Sequence, residues 1–253
     1  LPYGAPAFDM IKNEHFSPAL ENGMAEQAAE IELIASNPES ATFENTIEAM
    51  EKTGQTLGRS RRIFGALISA HTNAALDDIN TEMSPKFAAH RDSILLNADL
   101  YARVAQLYLV RESLGLDAES LRLLDRYHTD FVRAGAQLSD DQKARLRAIN
   151  ADLAALSTAF SQAVLDDVND SAVIVESREE LAGMTENQIE SAAKEGVNRG
   201  LDGKYVVTLR NTTQQPPLTV LKNRALRQRI QEVSAARGSR GNEFDTRNMV
   251  TRV

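Results

Sequence analysis

The sequence predicts a mainly α protein: long antiparallel helices in a helical hairpin or bundle, with a small two-stranded β-containing insertion. Three observations carry this. Aromatics are 5 % of the 253 residues and Trp is absent, so a core must be built mainly from Ala, Leu, Ile and Val, which suits close-packed helices. Gly (13) and Pro (7) are sparse. Apolar residues recur at steps of three and four along most of the chain and give way to short β-branched runs only once.

The elements follow in order. "LPYGAPAFDMIKNEHF" opens as an extended lead-in. Ser17-Pro18 reads as a helix start, with Ser as cap and Pro in the first turn, where its missing N–H has no partner to lose. That helix runs to about Ala35. Residues 42–71 read as one long helix, because Phe43, Ile47, Met50, Gly54, Leu57, Arg61, Phe64 and Ile68 step by four and three, with Arg61 interrupting the seam. A helix over 75–96 should bend near Pro85 through its lost hydrogen bond. Another covers about 98–114 and stops at Gly115.

Leu121, Leu124, His128, Phe131, Gly135 and Leu138 form the next stripe, and Leu146, Ile149, Leu153, Leu156, Phe160 and Val164 the one after it. Two heptad-like stripes joined by a short polar turn predict an antiparallel hairpin. Ser139 with Gln142 is a capping box that fixes the start of the second arm, about 140–167. "SAVIVES" and "KYVVTLRN" then read as strands. Between them Thr185 with Gln188 is a second capping box, opening a helix over 186–198. "QQPP" (214–217) breaks the chain, helix returns from about Leu218 to Ala236, "RGSRGN" is a turn, and a last helix begins near Glu243. The expected divisions are 1–168 as a helical bundle, 169–215 as a mixed α/β insertion and 216–253 as helices leading onward. The final "EFDTRNMVTRV" carries no Gly, Asn or Pro stop signal after Val250, so it reads as a helix that would continue.

The net charge is −8, from 28 basic and 36 acidic residues. That argues against nucleic acid as the main partner, which needs a basic face. No apolar run approaches the roughly 18 residues that span a bilayer. With no Cys there is no disulfide and no thiolate metal site. Cytoplasm and periplasm suit such a chain equally.

The four histidines, His15, His71, His90 and His128, include no pair four apart, so H-E-x-x-H is absent. His128 lies on an apolar stripe and reads as a seam histidine with a hydrogen-bond partner. "HRD" at His90–Asp92 lacks the Gly-rich loop and D-F-G of a kinase and reads as chance on a helix. "RGSRGN" lacks the Lys-Ser/Thr of a phosphate loop. "NDS" (169–171) and "NTT" (211–213) match the glycosylation pattern, which recurs by chance. Asp140/Asp141 suit a helix N-terminus; Asp166/Asp167 do not and read as solvated. Arg224, Arg227, Arg229 and Arg237 read as salt-bridged to the acidic body, with substrate contact the sharper reading of the cluster. Residue chemistry alone names no catalytic and no metal-binding residue.

Several stretches in order carry a resemblance. They are Ile11, His15, Phe16, Pro18, Ala19 and Leu20; then Thr42, Phe43, Glu44, Asn45, Thr46, Ile47, Glu51 and Gly54; then "RLRAINADLAALSTAFSQAVLDD", "LAGM" with "GKYVVTL", and "LKNRALRQRIQEVSAARGSRGNEFDTRNMVTRV". Together they resemble the N-terminal part of the thimet-oligopeptidase-like zinc metallopeptidases, nearest the bacterial peptidyl-dipeptidase branch. The resemblance implies the N-terminal part of a zincin-type, neurolysin-like fold. It implies a parent whose H-E-x-x-H helix and zinc lie beyond these residues, in a C-terminal catalytic domain that is this part's partner. Short unfolded peptides would be the substrates. This part would be one wall of a deep channel, inactive alone, with Arg224 and Arg227 on that wall. The competing reading is a stand-alone helical interaction module docking through the hairpin over 119–167. An apolar patch left for a partner is expected from Leu218 onward.

Overall fold

The computed structural model describes residues 5–253, save the side chains of residues 211 and 212. The first four residues of the expected lead-in therefore lie outside the described residues. The chain forms two compact units, the first ending at Thr158 and the second being Ala159–Val253. The fold is mainly α with one two-stranded antiparallel sheet, as the sequence predicts.

In the first unit α1 (Phe16–Ala35) is entered through a 3-10 turn at Asn13–His15, so the N-cap is His15 rather than Ser17. Pro18 still falls in the first turn, where it loses nothing. The expected single helix over 42–71 is instead broken. A π-helical turn, Phe43–Glu48, leads into α2 (Ala49–Glu51), and α3 (Gln55–Ala70) begins after Gly54. Gly54 has φ +67°, a left-handed conformation that favours glycine, and its N–H donates to Glu30 at 2.7 Å. The stripe passes through the break because its two halves serve different cores. Phe43, Ile47 and Met50 pack with Ile31 and Ile34 of α1. Leu57 and Phe64 pack with Phe16 and Leu20 at the other end of that helix. Gly23 lets α1 and α3 touch: a Cβ there would sit 2.8 Å from the Leu57 backbone.

Helix α4 (Ala74–Leu95) is capped by Asn73 and runs through Pro85 as one helix. Helix α5 (Ala98–Leu109) is capped by Asn97 and ends earlier than expected, in a 3-10 turn before Gly115. Its Arg103 is 8 % exposed and donates to the carbonyls of Asn37 and Glu39 (2.9 Å each) and to Asn45 Oδ1 (2.8 Å), tying down the segment that precedes the π turn.

Helix α6 (Ala118–Ala134) closes on Gly135 at φ +98°. Helix α7 (Asp140–Asp170) starts at the Ser139/Gln142 capping box as predicted. Leu138 and Leu146 both lie over the Gly135 Cα, which forms the hairpin tip. Beyond the tip α7 takes its polar bridges from α4, not from the facing arm. Asn150 donates to Asp92 at 2.8 Å, and Thr158 to Ser84 at 2.7 Å. Both intervals are eight residues and run in opposite senses, so these helices are antiparallel. Ile149, expected in the seam, is 45 % exposed.

The second unit continues α7 and adds β1 (Val173–Val175), α8 (Glu186–Asn198), β2 (Tyr205–Val207), α9 (Asn211–Val220), α10 (Arg224–Ala235) and α11 (Arg247–Arg252). The strands pair as Val173↔Val207, Ile174↔Val206 and Val175↔Tyr205. Val173, Val175 and Val207 turn to a core shared with Ile189 of α8 and Leu226 and Ile230 of α10. "QQPP" does not break the chain: Pro216 and Pro217 lie inside α9, held on either side by Gln214 N–H to Arg210 O (2.7 Å) and Leu221 N–H to Pro217 O (3.0 Å). The break falls instead at residues 221–223, where Asn223 caps α10. The last helix starts at Arg247, because Asp245 first closes a turn on the Gly241 N–H at 2.7 Å.

Asp167 is the largest correction to the sequence reading. It is 0 % exposed, not solvated. It accepts from Arg240 Nε (2.8 Å), the Gly238 N–H (3.0 Å) and the Ser171 hydroxyl (3.4 Å), fastening the end of α7 to the 237–242 turn. Among the described residues no helix is long and apolar enough to cross a membrane.

Candidate functional site: a pocket beside the small sheet

The second unit holds a pocket of about 400 Å³ between α8, β2 and α9. Its shape follows from three local features. The Thr185/Gln188 capping box forms as predicted, with bonds of 2.9 and 3.4 Å, and sets where α8 begins. Asn187, Ser191 and Glu195 then stand four apart on α8 and share the face toward the pocket. At the opposite wall the Thr208 and Thr213 hydroxyls lie 2.6 Å apart, and Thr213 also donates to Thr208 O at 3.0 Å. Those bonds fix the start of α9 against the exit of β2. Met184, Pro216 and Pro217 add apolar surface.

The charges in the pocket are unequal. Glu195 is held by Arg199 at 2.8 Å. Arg210 is exposed, and among the described residues its guanidinium has no hydrogen-bond or ion-pair partner. The lining side chains include amides, hydroxyls and this cation, and neither His nor Cys. Such a set can bind an extended polar ligand; it holds no nucleophile activated by a base. The sequence reading missed this site. Its one legible trace was an Arg just after the "YVVTL" strand.

Arg224 and Arg227 do not line the pocket. Both lie on α10. Arg224 is exposed with no partner among the described residues, and Arg227 donates to the Leu221 carbonyl. Arg229 reaches Ile174 O at 3.1 Å, and Arg237 donates to Leu209 O. Among the described residues the expected salt bridges from these four arginines to carboxylates do not form. Arg227, Arg229 and Arg237 instead satisfy main-chain carbonyls, which a sequence pattern does not display.

The histidines take structural places. His128 stacks on Tyr108 at 3.7 Å and 3° rather than hydrogen-bonding, and burial pushes its pKa down. His90 contacts Gln27 Oε1 at 2.8 Å; burial, then the nearby Arg61, lowers its pKa. The Asp92 of "HRD" is taken by Asn150. Among the described residues no three His, Asp or Glu side chains group closely enough to hold a metal. These residues do not compose a zinc site, and no chemical step through zinc can be derived from them.

No family model matches the chain. Individual proteins do. A dipeptidyl carboxypeptidase of Escherichia coli is 40 % identical over all 253 residues, which are 37 % of that protein's length. An oligopeptidase A of Haemophilus influenzae is 28 % identical over 236 residues, 93 % of this chain and 34 % of its own. A thimet-like oligopeptidase of Dictyostelium discoideum is 26 % identical over 187 residues, 71 % of this chain and 26 % of its own. The chain thus spans about a third of the length of the relatives it matches.

Proposed function

We propose that the chain belongs with the thimet-oligopeptidase-like metallopeptidases and forms one wall of a peptidase's substrate channel. In this reading the parent hydrolyses short unfolded peptides, releasing dipeptides from their C-termini. Its zinc and its catalytic groups belong to the part of the relatives' length that these residues do not span. The partner is that C-terminal catalytic domain, and the chain alone is inactive. The observation that carries the reading is a 40 % identity running end to end through this chain while covering 37 % of a dipeptidyl carboxypeptidase. Arg224 supports a role on the wall, being a cation at the solvent with no internal partner among the described residues.

The test is peptide cleavage read by mass spectrometry, with and without zinc. The 253-residue chain should release no dipeptide from a short peptide under either condition. A chimera joining it to the remaining length of the E. coli relative should do so with zinc present, and Arg224→Gln/Arg227→Gln in that chimera should raise KM more than it lowers kcat. Zinc-dependent turnover by the chain alone would overturn the assignment of catalysis elsewhere. Unchanged KM in an active chimera would remove the two arginines from the wall.

A further inference from the structure

Two dipeptides carry the same latent reaction. Asn22-Gly23 is the one Asn-Gly in the sequence, and Asp202-Gly203 the one Asp-Gly. In each, a side-chain carbonyl carbon stands one residue before a glycine nitrogen that no Cβ shields, so a five-membered imide can close between them. In an unfolded chain the Asn-Gly pair closes faster, because a neutral amide is a better electrophile at neutral pH than a carboxylate. The fold reverses that order.

Asn22 and Gly23 lie inside α1, where the Gly23 N–H is bonded to the carbonyl four residues back. Asn22 Nδ2 donates to Glu26 at 2.6 Å. Gly23 is buried, with the Leu57 backbone against it. Ring closure there requires the helix to open. Asp202 and Gly203 instead form the exposed centre of the turn from α8 to β2, closed by the Lys204 N–H on Leu201 O at 3.1 Å. Gly203 has φ +79° and open space where a Cβ would stand. Among the described residues neither the Gly203 N–H nor the Asp202 carboxylate has a hydrogen-bond or ion-pair partner. The two reacting groups therefore meet without first giving up a bond of their own.

We propose that Asp202-Gly203 is a modification site of the folded protein, at which Asp202 converts to isoaspartate. The Gly203 nitrogen bonds to Asp202 Cγ, and one oxygen of the protonated carboxyl leaves as water with the acid proton and the amide proton. Water then adds at the Asp202 main-chain carbonyl carbon and breaks its bond to the Gly203 nitrogen, which regains a proton. The chain now runs through Cβ and Cγ, with no net gain or loss of atoms. The former main-chain carbonyl becomes a free carboxylate, a substrate for carboxyl methylation. The added backbone carbon falls where α8 lies on the entry to β2. There the Leu201 N–H bonds Gly196 O at 2.9 Å, and a Cβ on Gly196 would stand 2.3 Å from Lys204 O. The proposal is independent of the channel-wall reading, since it concerns this chain's own backbone with no metal and no turnover.

The 253-residue chain is aged for weeks at neutral pH and body temperature, native in one arm and in concentrated guanidinium chloride in the other. Both samples are digested and read by electron-transfer fragmentation, which separates isoaspartate from aspartate at equal mass. In the native arm isoaspartate at Asp202 should exceed deamidation at Asn22 by at least about tenfold, since a helix interior opens rarely. In guanidinium chloride the order should reverse. An isoaspartyl carboxyl methyltransferase with labelled S-adenosylmethionine should label the native-aged chain. Asp202→Glu, whose longer side chain closes a larger ring slowly, should remove most of that label, and Asp202→Asn should speed modification several-fold. No isoaspartate at Asp202 in the native arm, Asn22 ahead of Asp202 there, the same order in both arms, or undiminished label in Asp202→Glu would each overturn the proposal. Both sites are read in one unsubstituted chain, so that comparison stands even where a substitution disturbs the turn.

Discussion

Removing the Asp167 carboxylate should destabilise the second unit more than any other single charge deletion in it. The side chain of Asp167 is 0 % exposed and that of Arg240 is 17 % exposed. Three donors converge on the carboxylate, at 2.8, 3.0 and 3.4 Å. Asp167→Ala leaves the Arg240 guanidinium largely out of water with only the Val233 carbonyl to hold it. Breaking one side of a buried pair costs about 3–5 kcal/mol, a large share of a typical domain stability of about 5–15 kcal/mol. At a urea slope of about 2 kcal/mol per molar, the midpoint falls by about 2 M. The assay is urea unfolding followed by helical circular dichroism. Asp166→Ala is the control, because among the described residues the Asp166 carboxylate accepts only from Gln162, at 3.1 Å, and its loss should change stability by no more than about 0.5 kcal/mol. Adding Arg240→Met to Asp167→Ala should recover much of the loss, since the unpaired charge is then gone. Equal effects of Asp166→Ala and Asp167→Ala, or no recovery in the double variant, would refute the argument.

Three other outcomes follow from single positions. Gly183→Ala should cost about 3 kcal/mol or prevent folding of the second unit, because its Cβ would sit 2.0 Å from the Val220 carbonyl at φ +106°, whereas Gly115→Ala, at φ +66° in open space, should cost about 1–2 kcal/mol; thermal unfolding of the pair compares them. Arg103→Met should lower the stability of the first unit by about 2–4 kcal/mol, since it frees two carbonyls and the Asn45 side chain; a loss under about 1 kcal/mol in urea titration would contradict the clamp. Burial, with the Glu51 hydrogen bond second, raises the Tyr127 pKa well above the usual phenol range. A folded pKa above the unfolded one gives stability that is complete below about pH 10 and lost as pH rises toward the folded value. One phenol should therefore fail to titrate near pH 10 in the absorbance at 295 nm, and the Tyr127→Phe variant should lose that late step.

The legible parts of this fold are the ones decided within a few residues. Ser139/Gln142 and Thr185/Gln188 close rings between residues three apart, so the sequence contains both partners and the helix starts fall where predicted. "SAVIVES" and "KYVVTLRN" announce strands by composition, and the two pair with each other in an antiparallel ladder. Gly54 was misread for a related reason. A period of three and four survives a break when both halves face one helix, so the stripe looked continuous across a left-handed turn. The pocket was nearly invisible, because Ser191, Val206 and Arg210 meet through packing of α8 on β2 and carry no shared motif.

The sequence by itself determined the class: helices from periodicity, caps from local hydrogen bonding, one small sheet from β-branched runs, and a resemblance to a peptidase family from ordered stretches. Only the tertiary structure decided what each polar group answers to. Asp167 is a buried anchor, Arg227 and Arg229 serve carbonyls, and α7 takes polar partners from α4. Periodicity reports that a residue has a face; the partner on that face is fixed by chain segments far away in sequence, whose approach no local pattern encodes.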